Sequence, residues 1–575
     1  MNADKNETVS IRSLPWLCLI LAVALGLRLF GLRYGLPAVY NPDEVAIMSR
    51  ALAFAKGDLN PHNFLYPTLY FYVLFAWEGL TALAAVAVRT VDSFGAFQRE
   101  FFVDPTRVYV AGRLLTALLG TATVAATFAL ARRLAGPVAG LAAALAVAVS
   151  PLHVRDSHYV KHDVPVTLLI VLAYLAYERL WRVFPGRTGV FEEVRDAEVM
   201  WAGVLTGLAF STHYYSIFLA IPLVWSAARR AASPAEAVRR VAIATLISAF
   251  IFFLCSPFML VEPATALRDI QANRQIVVDR AVGSLGYGAT LARYGAMLVG
   301  ETLGWPFVLC AALGAVAIAR EDGRRAVWLL SFSVPFFFFI ASTYPASRYL
   351  IPLVPFLAVL AGVFVARVAA RSPRNAWWIV PALAILPLVA SIRTDRFIRQ
   401  TDTRTLAARF IESQLPDGAT ILTQPYSVPL EPTAESLREA VRRSGKDTPT
   451  KTRLQIERHP YPSPAYRLVY LGRGLDADKL YLPLDAIDPA DPLKPVRAEH
   501  VAFLVLKRYN DEAPAMQPLT AALARNGRRL AVFSPYREGS ETRPEPFLHN
   551  TDARITSALE RSGPVVEIWQ LNGPS

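Results

Sequence analysis

Two adjacent carboxylates, Asp43 and Glu44, follow a proline shortly after the first long apolar segment of this 575-residue chain. Pro42 restricts the local backbone, so both side chains start the next element from a defined position. A carboxylate held where an apolar helix leaves a bilayer suits a general base acting on a lipid-anchored substrate. The same residues also suit a plain helix start, because acidic groups complement the helix dipole. The rest of the chain must decide between these interpretations.

A second polar cluster, residues 153–163, lies between two later apolar runs and holds three histidines, two acids and two basic residues. Ionisable groups beside a bilayer are costly unless they are solvated or used, so this is either a hydrated loop before a helix or part of a site. His158 and His162 are four residues apart and Asp163 follows, which makes these three residues weak candidates for a divalent metal site. No third ligand at a suitable spacing accompanies them, so we assign no metal and no certain cofactor.

Two arginines open apolar runs: Arg113 in Gly112-Arg113-Leu114 and Arg348 in Arg348-Tyr349. Such an arginine either extends its charge to the membrane surface or clamps a phosphate through paired hydrogen bonds. The chain has no Walker A sequence and no Gly-x-Gly-x-x-Gly after a predicted strand, which disfavours a nucleotide-driven machine.

The composition indicates a polytopic membrane protein. The chain is 54% hydrophobic and only 18% charged, whereas soluble domains are about 25% charged. The net charge of +13 could suggest a nucleic-acid partner. However, arginine pairs such as Arg132-Arg133, Arg239-Arg240 and Arg324-Arg325 lie at the ends of apolar segments, where they set membrane orientation. We therefore expect a lipid bilayer and no nucleic acid.

If the arginine clusters are cytoplasmic, the apolar windows predict roughly eleven transmembrane helices. They are residues 14–32, 109–131, 137–152, 164–181, 199–212, 213–228, 241–257, 294–319, 327–343, 350–366 and 377–392. This alternation requires the apolar stretch 66–88 to lie along the outer surface, or to re-enter, without crossing. Loop 33–108, which carries the acidic motif, is then on the outer side.

The pattern changes after residue 392. Apolar runs shorten to strand length at 419–423, 501–506, 529–533 and 565–571, and helical patterns cover 403–415 and 516–525. We therefore expect a membrane module over residues 1–392 and a soluble mixed α/β domain over 393–575. The same count of membrane crossings predicts that this domain is periplasmic.

The chain resembles the GT-C superfamily of polyprenyl-phosphate-sugar-dependent glycosyltransferases. It is most similar to the bacterial branch related to the protein O-mannosyltransferases and the lipid A aminoarabinose transferase. The resemblance covers residues 14–392 and is carried by an ordered series of short motifs: Arg28-Leu29, Pro42-Asp43-Glu44, Tyr66-Pro67-Thr68-Leu69-Tyr70, Gly112-Arg113-Leu114, Asp163-Val164-Pro165 and Arg348-Tyr349-Leu350. It implies a helical membrane fold with a C-terminal periplasmic domain, in a bacterial inner membrane.

The resemblance also implies roles. Asp43 would deprotonate the acceptor hydroxyl in an inverting transfer, Glu44 would position the acceptor or Asp43, and Asp163 would be a further acidic residue of the site. Arg113 and Arg348 would hold the donor phosphate, with Lys161 and His162 as lesser candidates. The family often has a basic residue before the proline of its second outer helix, whereas this chain has Tyr66.

The sequence thus predicts a membrane glycosyltransferase that takes a sugar from a polyprenyl phosphate. The acceptor would be a protein, lipid A or a cell-envelope glycan. The alternative from another class is a transporter or flippase of lipid-linked sugars, which should carry ionisable groups near the middle of its spans. Here the acids gather in outer loops, which favours the enzyme. A non-catalytic assembly subunit remains a third interpretation, and it would tolerate replacement of Asp43.

Overall fold

The computed structural model of the chain describes residues 2–181, 196–229, 231–282, 286–343, 345–474, 476–508, 514–540 and 558–572. The chain divides into two compact units. The first, here called the membrane unit, contains Met1–Leu32, Asp43–Thr81 and Tyr109–Asp395. The second, here called the sheet unit, contains Arg33–Pro42, Ala82–Val108 and Arg396–Ser575. The predicted boundary after residue 392 is thus three residues from the one observed, and the sheet unit also takes two segments from the outer loop.

In the described ranges, eighteen α-helices begin before residue 396, and all except α4 have most of their residues in the membrane unit. They are α1 (Asn2–Leu29), α2 (Pro42–Ala53), α3 (Leu69–Ala87), α4 (Phe94–Val103), α5 (Thr106–Ala148), α6 (Pro151–Asp156), α7 (Asp163–Trp181), α8 (Asp196–Phe210), α9 (Ala220–Ala228), α10 (Pro234–Cys255), α11 (Phe258–Val261), α12 (Pro263–Val282), α13 (Tyr287–Met297), α14 (Trp305–Glu321), α15 (Gly323–Leu330), α16 (Ser333–Ile340), α17 (Val354–Arg371) and α18 (Pro373–Ile398).

The predicted count of eleven spans is not confirmed. Among the described residues, six helices are long and apolar enough to cross a membrane, or eight if each of two bent helix pairs is one span. Shorter apolar helices cover Ser13–Leu29 and Tyr214–Ala228. The predicted spans 109–131 and 137–152 both fall in α5, whose backbone leaves the helical region at Ala135 and Gly136. Gly136 has a φ of 86°, which only glycine adopts readily, and Pro137 follows it.

The apolar stretch 66–88 forms the 19-residue helix α3, which is long enough to cross a bilayer. It is one of the six helices counted above. The predicted placement of this stretch, along the outer surface or re-entrant, stays a prediction.

In the described part of the chain, the sheet unit holds six strands: β1 (Thr420–Thr423), β2 (Arg467–Leu471), β3 (Leu480–Leu482), β4 (Phe503–Arg508), β5 (Gly527–Phe533) and β6 (Val565–Leu571). Its other helices are α19 (Thr403–Gln414), α20 (Ala434–Ser444), α21 (Thr450–Ile456), α22 (Lys494–Ala498) and α23 (Gln517–Asn526). The strand order is β3-β2-β1-β4-β6-β5. The strands from β3 to β4 run parallel, and β6 runs antiparallel to both β4 and β5. The predicted mixed α/β domain is confirmed, although the sequence missed the short strands β2 and β3.

Arg28 joins α1 to the end of α5. Its side chain is fully buried, and its guanidinium donates to the carbonyl oxygens of Val147 at 3.1 Å and Ala148 at 3.2 Å. These carbonyls lie in the last turn of α5, where no backbone amide of the helix follows to donate to them, so a cation stabilises that helix end.

Glu44 and Arg113 form an ion pair in which both side chains are 0% exposed. Arg113 Nε and Nη2 donate to the two carboxylate oxygens at 2.9 and 2.8 Å, and Nη1 donates to the carbonyl of Leu32 at 2.7 Å. The Val160 amide donates to Glu44 Oε1 at 3.0 Å. Gly112 lets the two helices approach, because a Cβ there would lie 2.7 Å from Met48 Cε. The pair thus links α2, α5 and the segments after α1 and α6.

We expect Arg113→Ala to destabilise the protein by about 3–5 kcal/mol, because it leaves a buried carboxylate without its cation. The matched control is Arg107→Ala, which removes a half-exposed pair with Glu100 worth at most about 1 kcal/mol. Thermal unfolding in detergent compares the variants. Adding Glu44→Ala to Arg113→Ala should recover part of the lost stability. A double variant as unstable as the sum of the two single variants would contradict the pairing.

Candidate active site

Asp43 is held by two cations in the membrane unit. Its Oδ2 accepts a hydrogen bond from Arg348 Nη1 at 2.6 Å and lies 3.2 Å from Lys161 Nζ. Asp43 is the second residue of α2, and Arg348 lies in the short 3-10 segment Ser347–Leu353 before α17. The three groups come from positions more than a hundred residues apart, so only the tertiary fold brings them together.

A cavity of about 50 Å³ opens beside this cluster. It is lined by four of the predicted site residues besides Asp43, and by six residues that the sequence did not assign to the site. The predicted ones are Lys161, His162, Asp163 and Arg348; the others are Ala46, Ile47, Arg50, Tyr66, His213 and Tyr349. Three cationic side chains and two imidazole rings line the cavity together with two carboxylates, so the wall is suited to an anion accompanied by hydroxyl groups.

The charges around Asp43 determine its protonation. Burial alone would raise the pKa of this carboxyl, but the charges of Lys161 and Arg348 and their hydrogen bonds outweigh burial and lower the pKa to about 2. Asp43 is therefore ionised at neutral pH, and its single negative charge balances one of the two positive charges nearest to it. A carboxylate with such a low pKa is a weak base. It becomes a stronger base when the two cations bind another anion instead.

His162 is embedded in aromatic rings. Tyr66 stacks on its face with the ring centroids 4.4 Å apart, while Tyr70 and Phe71 present their edges at 4.9 and 5.1 Å. The residue is 2% exposed, and neither ring nitrogen has a hydrogen-bond partner among the described residues. Burial, with the nearby charge of Arg50, lowers its pKa to about 3. His162 is thus neutral, which does not favour the predicted role as a phosphate-binding cation.

The segment that presents Arg348 is held by buried polar groups. Arg155 pairs with Asp156 at 2.8 Å and donates to Ser347 Oγ at 3.0 Å. Tyr294 Oη accepts from the Ala346 amide at 3.1 Å. These contacts fix the backbone on the N-terminal side of Arg348. The sequence showed Arg155 and Asp156 only as part of a polar cluster and carried no signal of their partner Ser347.

Glu44 and Arg113 do not line the cavity, because their mutual pairing uses both side chains completely. We therefore do not retain the predicted phosphate contact for Arg113 or the predicted acceptor contact for Glu44. Their neighbours in the chain are site residues, however: Glu44 follows Asp43, and its partner Val160 precedes Lys161. The pair acts by positioning the backbone that carries Asp43 and Lys161.

The weak metal candidates do not come together. His158 directs its two ring nitrogens at the carbonyl oxygens of Val154 and Phe30, each at 2.9 Å. His162 lies in the aromatic stack, and Asp163 begins α7 at the cavity wall. Within the described ranges, no group of three or more His, Cys, Asp or Glu side chains is arranged to hold a metal ion.

Tyr66 and His213 line the cavity, although the sequence assigns neither of them a role. In the sequence, Tyr66 is only a departure from the basic residue found in related sequences, yet it covers the face of His162. His213 stands edge-on to Tyr66 at 5.3 Å and stacks on Tyr215 at 3.7 Å. The signal available was the aromatic content of both segments, Tyr66 to Tyr72 and His213 to Tyr215.

Comparisons with known proteins agree with this architecture. Residues 106–260 match the family model of dolichyl-phosphate-mannose-protein mannosyltransferases. The structure of ArnT from Cupriavidus metallidurans bound to undecaprenyl phosphate aligns with a TM-score of 0.54 at 14% identity, covering 98% of this chain and 99% of that chain. The apo oligosaccharyltransferase of Archaeoglobus fulgidus aligns with a TM-score of 0.50 at 12% identity, covering 92% and 75%. A search of the curated proteins finds no match.

Identities this low establish the fold rather than the activity. The whole-length agreement with ArnT and the family match in the α5–α11 region concern the same membrane unit that carries the Asp43 cluster. The resemblance predicted from the short motifs is therefore confirmed: the chain is a multi-pass membrane protein with the fold of the GT-C glycosyltransferases, followed by a small mixed-sheet domain.

Proposed function

We propose that this protein transfers a sugar from a polyprenyl phosphate to a hydroxyl group of an acceptor at the periplasmic face of a bacterial inner membrane. The observation that carries the proposal is the Asp43 carboxylate held between Lys161 and Arg348 at the wall of a cavity. A phosphate-linked donor supplies the anion that these cations need, and the acceptor supplies the proton that Asp43 takes. The solved ArnT structure with undecaprenyl phosphate supports a lipid phosphate as the donor carrier.

The transfer follows from these groups. The acceptor oxygen attacks the anomeric carbon from the side opposite the phosphate and loses its proton to Asp43. The bond between the anomeric carbon and the phosphate oxygen breaks, and the polyprenyl phosphate leaves with the electron pair. Lys161 and Arg348 balance the charge that grows on the leaving phosphate. The configuration at the anomeric carbon inverts because the two bonds lie on opposite faces.

Donor binding activates the base in this scheme. Asp43 shares its Oδ2 between Lys161 and Arg348, which makes it a poor base. When the phosphate takes these two cations, the carboxylate loses its stabilising partners and its pKa rises. Proton abstraction therefore becomes efficient only when the leaving group is in place.

For His162 we propose a role other than the predicted contact with the donor phosphate. Because its ring is buried, neutral and fixed between aromatic side chains, its nitrogens can only meet a polar group that enters the cavity. A buried nitrogen left without a partner costs about 1–3 kcal/mol, and a sugar hydroxyl removes that cost. We assign His162 to the sugar of the donor, with Tyr66 as the ring that holds it.

Asp43→Asn tests the base. We expect at least a hundredfold loss of transfer with unchanged thermal stability, since the amide keeps the size of the side chain but cannot accept the proton. Purified protein in nanodiscs receives a panel of radiolabelled polyprenyl-phosphate sugars, with membrane extract as acceptor. The control is Asp92→Asn, an exposed carboxylate of the same outer loop. If the Asp43→Asn variant transfers label normally, Asp43 is not the base. If the wild-type protein moves lipid-linked sugar across the bilayer without transferring it, the result favours the flippase.

The pH dependence tests donor-linked activation. Below neutrality, Asp43 of the donor-free protein stays ionised to about pH 2, so kcat/KM for the donor should show no acidic limb from this residue in the accessible range. The kcat profile reports the donor complex, where the cations have turned to the phosphate, and it should fall at a higher pH. Steady-state rates between pH 4 and 8 compare the two profiles. If the kcat and kcat/KM profiles fall at the same acidic pH, the proposed transfer of Lys161 and Arg348 from Asp43 to the phosphate is wrong.

His162→Phe tests the sugar contact. Phenylalanine keeps the stack on Tyr66 but removes both nitrogens, so the Kd for the donor should rise about tenfold, as for one lost hydrogen bond. The Kd for the sugar-free polyprenyl phosphate should not change. Lys161→Met is the matched control and should weaken both ligands. Native mass spectrometry measures both affinities without turnover; equal changes for the two ligands, or none for either, would refute the assignment to the sugar.

A further inference from the structure

A second, larger cavity of about 330 Å³ lies in the membrane unit where several helices end. Its wall comes from the bend of α5 at Leu134 and Ala135, the last turns of α14 and α17, and the short helix α15. Seven of the eleven lining residues are apolar, and four are charged: Glu321, Asp322, Arg325 and Arg367. None of these residues belongs to the Asp43 cluster.

Helix lengths place this cavity at the other face of the membrane. The helix α17 starts six residues after Arg348 and ends at Arg371. Its 18 residues rise about 27 Å, which is close to the roughly 30 Å thickness of the hydrocarbon core. Arg320, Arg324 and Arg371 are near the same helix ends, and such clusters mark the cytoplasmic side. The cavity therefore opens at the cytoplasmic surface of the bilayer.

The charged wall has both signs in equal number. Arg367 uses Nε and Nη2 to pair with the two carboxylate oxygens of Glu321, at 2.9 and 2.5 Å. Its Nη1 is buried and has no hydrogen-bond partner among the described residues. Asp322 accepts the Arg325 amide at 3.0 Å and caps α15, which leaves the Arg325 guanidinium at the cavity wall. The Arg367 Nη1 donor and the Arg325 cation therefore lie at the same cavity as the carboxylates of Glu321 and Asp322.

The apolar part of the wall excludes most water-soluble ligands as preferred occupants. Ile318, Leu329 and Val363 line the cavity beside the charged groups. The helix α14 also exposes Leu309, Leu313 and Val316 along one side, the pattern of a surface that faces lipid. A ligand that fits needs an apolar body, an anion and a cation within one small headgroup.

We propose that this cavity binds a phospholipid whose headgroup carries a phosphate and a primary ammonium group. The phosphate accepts from Arg367 Nη1 and Arg325, and the ammonium donates to Glu321 and Asp322. The glycerol region and the first carbons of the acyl chains lie against Leu134, Ala366 and Ala370, the more accessible apolar residues of the wall. An anionic lipid satisfies the arginines but leaves the carboxylates facing its own charge, and a quaternary ammonium has no N–H to donate.

Native mass spectrometry of the delipidated full-length protein tests this site. The protein is titrated with phosphatidylethanolamine, phosphatidylcholine and phosphatidylglycerol of matched acyl chains. We expect phosphatidylethanolamine to bind at least tenfold more tightly than the other two, and Arg325→Gln with Arg367→Gln to remove that preference. The control is Arg324→Gln with Arg371→Gln, which removes the same charge beside the cavity. Glu321→Gln with Asp322→Asn should shift the preference toward phosphatidylglycerol.

A variant that fills the cavity without changing its charge separates binding from misfolding. Ala366→Trp should abolish the preference while thermal stability without lipid stays close to that of the wild type, because Ala366 faces the open space. Equal affinity of the wild type for all three lipids would overturn the proposal. The proposal would also be overturned if the Arg325→Gln, Arg367→Gln double variant bound phosphatidylethanolamine as tightly as the Arg324→Gln, Arg371→Gln control does.

Discussion

The buried ion pair between Glu44 and Arg113 is the constraint on which the candidate site depends. Two charges taken out of water are stable only if each is fully satisfied. Here Arg113 has the carboxylate and the Leu32 carbonyl, while Glu44 also has the Val160 amide. Because these contacts leave little freedom, they fix the residues next to them in the chain. Asp43 and Lys161 are those neighbours, and their separation of 3.2 Å follows from this arrangement.

In the candidate site, two cations share one carboxylate, and the anionic group of a substrate can compete with that carboxylate for them. Lys161 and Arg348 both contact one carboxylate oxygen of Asp43. The same attraction that keeps Asp43 ionised also keeps it weakly basic. In the proposed transfer, the donor phosphate binds these two cations, and Asp43 then becomes a stronger base. The base, the leaving group and the acceptor are therefore ready to react at the same time. In the same proposal, the neutral His162 and its aromatic neighbours contact the sugar through its shape and hydroxyl groups rather than through charge.

The segment Arg33–Pro42 is held within the sheet unit by contacts to α19. Tyr40 lies three residues before the carboxylate, and its hydroxyl is 2.7 Å from Thr405 Oγ1 at the start of α19. The guanidinium of Arg404 lies 3.8 Å above the Tyr40 ring and pairs with the buried Asp402. Segments from the first loop are thus integral parts of the C-terminal domain. This explains why a boundary drawn only at residue 392 describes the domain incompletely.

The sequence by itself determined the class of the protein, the positions of most apolar helices and the short motifs, because these depend on local composition and on neighbours along the chain. It also singled out Asp43, Lys161, His162, Asp163 and Arg348, all of which the fold brings to one cavity. It could not separate Arg113 from Arg348, since both are arginines at the start of apolar runs, and only the tertiary structure gives Arg113 a buried partner and leaves Arg348 at the cavity. The stack of Tyr66 on His162, the partner Ser347 of Arg155 and the helix ends around Arg367 were likewise beyond the sequence. Each joins residues distant along the chain, and packing between helices, rather than any local preference, decides which of them meet.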